Sequence, residues 1–242
     1  LLVLITPMPP LPTTLFNTQY KPLKAHCSDV VWQGKANTLS PEHGVAWPVI
    51  NDVAQATRQC ARVTINDNFS NFPFEDSLFL TPIRNGLLTA EVAILGRHSA
   101  VAMDGTTSIS RATFFRMLAR LIPTRERQTM PWDSIPWRLR IHIGLFVHRV
   151  DGLAPGIYTL CRDPDKVEAL KKVMHAQFGW YPVPGCPPEL PLYLLQEGDC
   201  QKLAATVSCG QEIAGDGAFS LAMIADYSDS LATYGSSFYR NL

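Results

Sequence analysis

Ile141-His142-Ile143-Gly144-Leu145-Phe146-Val147, then Asp151-Gly152 and Pro155-Gly156, then Ile157-Tyr158-Thr159-Leu160, reads as strand, turn, strand. Ile141, Ile143, Leu145 and Val147 alternate with His142, Gly144, Phe146 and His148, the two-residue period of a strand. Few of these positions are polar, so burial on both faces is expected. Asp-Gly and Pro-Gly are turn signals that return the chain antiparallel.

Helical spacing surrounds this hairpin. On the N-terminal side, Ser110 suits a cap, and Ile109 and Phe114 occupy the two positions of a hydrophobic staple. Phe114, Met117, Leu118, Leu121 and Ile122 recur at three- and four-residue steps as one buried face, with Pro123 as the stop. An earlier helix runs from Gly86 into Arg97. On the C-terminal side, Asp163-Pro164 opens a helix with the stripe Val167, Leu170, Val173, Met174 and Phe178, ended at Gly179. Leu190 to Leu195 reads as a central strand, and Asp199 starts a short helix through Ala205. The last helix is expected from about Ser208 to Asp226, with Ile213, Gly217, Leu221 and Ile224 on one face. Gly215 and Gly217 inside it each cost about 1 kcal/mol relative to Ala and would admit a close backbone or ligand. Helices and hairpins mixed in this way give an α+β fold.

The chain has 242 residues, 46% of them hydrophobic, enough for one sizeable core. Its 21 basic and 21 acidic residues balance, so no basic field points to nucleic acid. No apolar run approaches the roughly 20 residues of a membrane helix. Leu1 to Ile5 is followed at once by Pro7, Pro9, Pro10 and Pro12 and has no basic flank, which does not support a signal peptide. The 6 cysteines show no C-x-x-C and no zinc spacing, so they read as reduced thiols in a cytoplasmic protein, with no metal site. Residues 1–85 read as an N-terminal arm or linker with a brief helix at Asn51–Thr57 and a short strand around Val63 and Ile65. Residues 86–242 read as the main domain.

Gly96-Arg97-His98-Ser99-Ala100, then Met103-Asp104-Gly105, then Ser108-Ile109-Ser110-Arg111, gathers the chemistry-bearing side chains. The planar fork of Arg97 matches phosphate oxygens, and Ser99 adds a short hydroxyl donor. Backbone N–H groups would join them if the group sits at a helix end that offers them. The alternative is a solvated basic turn. His142 and His148, on an apolar strand, read as satisfied core histidines rather than catalytic ones. There is no G-x-G-x-x-G after a strand, no phosphate-binding G-x-x-x-x-G-K-[ST] and no G-x-S-x-G elbow.

In order and spacing, three segments resemble the nitroreductase-like flavoproteins, nearest the SagB-type thiazoline oxidase branch. They are Arg97-His98-Ser99 with Asp104-Gly105 and Ile109-Ser110, then Val147 through Tyr158, then Cys209 through Phe219, which resembles the family's Q-x-I-A-x-x-A helix. The resemblance implies a central, mostly antiparallel sheet flanked by helices. It implies an FMN-dependent oxidoreductase, a homodimer with flavin at the subunit boundary, NAD(P)H or oxygen as redox partner, and a small-molecule or peptide substrate. Arg97, His98 and Ser99 stand at its flavin-phosphate positions, with His98 where a second Arg is usual. Ser134, in Pro131-Trp132-Asp133-Ser134, stands near its ring-contact loop, and Gln211 is a candidate for the pyrimidine edge. No catalytic acid or base is assigned. The family's C-terminal phosphate segment is expected after Leu242, both ends are expected to be cut from a longer polypeptide, and residues 1–85 are a candidate tail of a preceding degenerate copy. The rival reading is a flavin-free degenerate domain that binds a partner or stabilises a dimer.

Overall fold

The computed structural model describes residues 31, 34–35, 47–58, 89–123 and 138–242. The strand around Val63, the aromatics from Phe69 to Phe79, and Ser134 with its two tryptophans lie outside these residues.

The architecture is α+β, and the hairpin is its centre. β1 (Ile109–Ser110) and β3 (Val150–Asp151) form a two-residue parallel pair. β2 (Ile141–Val147), β4 (Gly156–Leu160), β5 (Tyr181–Pro182), β6 (Leu192–Glu197) and β7 (Phe219–Ala225) form one antiparallel sheet in the order β5-β6-β4-β2-β7. Val147 opposes Gly156 and Ile143 opposes Leu160, so the strand–turn–strand expectation holds. Ile143, Leu145 and Val147 are buried on one face, under Phe114, Phe115, Leu118 and Ile122. On the other face His142 is buried while Gly144 and Phe146 are half-buried, so β2 is less enclosed than its composition implies.

The helices are α1 (Pro48–Ala56), α2 (Ala90–Gly96), α3 (Arg111–Ala119), α4 (Val167–Val173), α5 (Gln201–Val207), the one-turn α6 (Ile213–Asp216) and α7 (Tyr227–Tyr234). Ser110 caps α3 as expected, its hydroxyl accepting the Thr113 N–H at 3.2 Å. Phe115 takes the inward position and leaves Met117 47% exposed, a correction to the expected stripe. α4 stops at Val173, which is exposed. Gly179 does not end that helix; its N–H donates to Leu195 O at 2.9 Å, because the chain is already running beside β6.

The largest correction is at the end of the chain. The helix expected over Ser208 to Asp226 is one turn followed by β7, which pairs with β2 along its whole length. Gly217 and Ala218 break the helical run, and seven ladder positions beside β2 outweigh local helical preference. Gly215 has a definite reason to be glycine: a Cβ there would lie 2.7 Å from Gln201 O. After α7, Ser236 Oγ donates to Ala56 O at 2.7 Å, and Arg240 donates to Thr57 Oγ1 at 3.0 Å and to Ala54 O at 3.1 Å. These bonds seat α1 on the C-terminal turn. Among the described residues no helix is long and apolar enough to cross a membrane.

Candidate functional site

Thr89 opens α2 by accepting the Val92 N–H at 3.2 Å. The helix ends at Gly96, and Arg97 leaves it in an extended conformation. Arg97 therefore faces the carbonyl end of α2, where orphan acceptors rather than N–H donors lie. That end favours a cation, and it adds no donor for an anion. Arg97 Nη1 donates to Ser99 Oγ at 3.3 Å. Arg97, His98 and Ser99 are all exposed.

The chain is then fixed by a tight turn. Asp104 Oδ1 accepts from the Thr106 and Thr107 N–H groups, each at 2.9 Å, and Oδ2 accepts the Thr107 hydroxyl. The Thr107 bonds, side chain first, hold the Asp104 carboxyl far below its ordinary range. Arg149 pins the turn to the start of β7. Its Nε donates to Thr107 O at 3.3 Å, and its Nη2 to Gly217 O at 2.8 Å and to Asp216 O. Gln211 lies between α5 and α6, exposed. Among the described residues no hydrogen bond joins it to the 97–99 group. Ser134 lies outside the described residues. The structure thus brings Arg97 and Ser99 together and joins neither to Gln211.

A cavity of about 180 Å³ opens elsewhere, lined by His148, Pro155, Glu197, Gly198, Asp199 and Gln201. None of the described candidates lines it. It is below the roughly 300 Å³ at which small-molecule pockets begin, too small for a three-ring cofactor. His148 Nε2 lies 3.0 Å from Ala214 O, a group that only accepts, so that nitrogen carries the proton. Nδ1 then accepts, 3.6 Å from Cys200 Sγ. The thiol also has Gly156 O at 3.4 Å within reach. Burial pushes His148 below its ordinary value and Cys200 above its own. Both are neutral near neutral pH, and no thiolate–imidazolium pair forms. His148 is the satisfied core histidine that the sequence suggests.

Cys161, Cys186, Cys200 and Cys209 are free thiols, three of them buried or half-buried. Among the described residues no group of three or more His, Cys, Asp or Glu gathers to hold a metal. The sequence assigns no role to Arg149, which donates to Thr107 O, Asp216 O and Gly217 O, and none to Arg111 beyond its place after Ser110. The Arg111 guanidinium lies over Gly185, whose added Cβ would be 3.0 Å from Nη1. The available signal for Arg149 was its place at the end of an apolar alternation, where a charged side chain needs partners.

No protein-family model matches the chain, and no curated protein matches it. A solved structure described as a candidate nitroreductase from Anabaena variabilis superposes with a TM-score of 0.44 at 19% identity, covering 62% of this chain and 26% of that one. The chain therefore spans about a quarter of that protein's length.

Proposed function

We propose that this chain is part of an FMN-dependent oxidoreductase of the nitroreductase-like class. The observation that carries the reading is the ordered set of three sequence segments, the second of which spans the turn of the β2–β4 hairpin. The donor set at the first segment suits a phosphate: a guanidinium and a hydroxyl 3.3 Å apart, both open to an incoming ligand. Arg97 is the anchor and Ser99 the second donor. His98 adds one hydrogen bond and no fixed charge when neutral. Ser134 and Gln211 are proposed ring contacts. When bound, the flavin supplies hydride chemistry, and the protein supplies anchoring, orientation and access. The SagB-type branch, a homodimer that completes the ring site, NAD(P)H as electron donor and a cytoplasmic setting belong to the same proposal.

The second reading, a flavin-free binding module, is favoured by one observation. The 97–99 group is exposed at the carbonyl end of α2 rather than at an N–H end. FMN titration followed by flavin fluorescence separates the two. The enzyme reading expects saturable binding and a yellow preparation, with Arg97→Ala weakening FMN about 10- to 100-fold, the equivalent of one charged hydrogen bond. Failure of the chain to take up FMN supports the module. Full retention by Arg97→Ala removes the anchor.

A further inference from the structure

His142 sits on β2 with 2% of its surface exposed. Its Nδ1 accepts the backbone N–H of Arg162 at 3.2 Å, so that nitrogen is unprotonated. Arg162 turns its own side chain inward. Nε donates to Leu121 O at 2.7 Å, and Nη1 donates to Ile141 O at 3.2 Å. One residue therefore meets the histidine through its backbone and ties the turn behind α3 to β2 through its side chain.

We propose that His142 is an acid-operated latch. A proton on Nδ1 sets donor against donor at the Arg162 N–H, displaces that residue, and releases the 120–122 turn from β2 while the β2–β4 ladder stays paired. The charged groups around the ring come from every element packed on it. Arg162, Asp163 and Lys166 follow β4 and Asp226 follows β7, while Arg138 and Arg140, before β2, reach the two carboxylates. The carboxylates are already engaged: Asp163 with Arg138 at 3.2 Å, and Asp226 with Lys166 at 3.0 Å and Arg140 at 3.8 Å. An imidazolium there gains no unclaimed counter-ion.

The direction of the pH effect follows. Burial is the largest influence holding His142 below its ordinary 6.5; Asp163 and Asp226 oppose it, and Arg162 and Lys166 reinforce it. The opened state binds the proton more readily than the latched one. The latch is therefore fully closed above that ordinary value and weakens as pH falls below it. Opening grows about tenfold per pH unit until the latched form itself titrates, because one proton is taken up. α3 carries Ser110 at its other end, so the device also bears on the segment leading from Arg97, whatever that segment binds.

Amide hydrogen exchange on the full chain, corrected for intrinsic rates and compared with His142→Asn, tests the latch. Asn places an acceptor oxygen where Nδ1 stands and does not titrate. In the natural protein the amides of residues 120–122 and 162 lose protection about tenfold per pH unit below the histidine's free value, while Leu145 and Tyr158 keep theirs. In His142→Asn the same amides show no such slope. An equal slope in the variant, no slope in the natural protein, or joint opening of the whole sheet overturns the latch. If the variant does not fold, imidazole nitrogen shifts of the natural protein decide. Nδ1 of the latched form must stay unprotonated while the amides begin to open and gain its proton only at the lower pH where the opening levels off; opening that keeps rising through that titration, or an Nδ1 that gains its proton at or above the ordinary 6.5, excludes the latch.

Discussion

Arg162 and Arg97 are the same side chain used in opposite ways. Arg162 is largely enclosed, its guanidinium bonded to two backbone carbonyls and its fold-state pKa lowered to about 10 by burial. Arg97 is exposed and, among the described residues, makes one hydrogen bond of 3.3 Å, to a near neighbour in the chain. A guanidinium that donates to carbonyls of two separate elements ties those elements together. One that meets only a nearby hydroxyl on the surface is open to something outside the protein. Arg149 belongs with Arg162, since its donors also go to carbonyls of separate elements.

The harshest way to break this contrast is Arg162→Ala. It leaves Leu121 O and Ile141 O without this donor in a half-buried position. Each such group costs about 1–3 kcal/mol, so a loss of about 2–5 kcal/mol is expected in denaturant unfolding. Arg162→Lys should recover little of it, because one ammonium cannot reproduce a fork that meets two carbonyls. A loss under about 0.5 kcal/mol, the level of an ordinary surface change, would place Arg162 with Arg97 and end the distinction.

A change that touches no charge tests whether the rigid side of the comparison rests on backbone as well. At Gly156 an added Cβ would fall on the carbonyl oxygen of Gln196, where β4 meets β6 beside an irregular step in register. That oxygen is main chain in a paired strand and has little room to shift. Gly156→Ala should cost about 1–3 kcal/mol, the usual range for overpacking, and loosen β6 before β2. Proton exchange along β6 would show the order. A neutral outcome would mean that the β4–β6 seam yields more easily than the β2–β4 seam.

The same contrast explains what was legible in the sequence. The β2–β4 hairpin and the Ser110 cap depend on neighbours in the chain, through alternation, turn residues and a hydroxyl, and both could be read directly. β7 could not. Phe219 to Ala225 holds its strand form because β2 lies beside it, and local spacing in Ser208–Asp226 points to a helix. Gly215 stands out in the sequence, but the reason for it, Gln201 O, comes from α5. At the candidate site, the donor types at Arg97 and Ser99 were legible. Their place at the carbonyl end of α2 depends on where that helix stops, and the bonds of Arg149 depend on three separate segments meeting.

The gentlest test falls on Arg97 itself. If its fork is reserved for a ligand, removing it should leave the fold almost untouched, because it crosses no elements and fills no interior space. Arg97→Ala should shift unfolding free energy by less than about 0.5 kcal/mol, the range of ordinary surface substitutions. The same variant should weaken FMN binding about 10- to 100-fold in the titration described above. Loss of binding with full stability marks the residue as a ligand contact. Loss of stability with unchanged binding would show that Arg97 holds the 97–107 segment in place, as Arg149 holds the turn beyond it. The two outcomes cannot both follow from one role, since a group that supports the fold pays out its donors inside the protein and has few left for a phosphate.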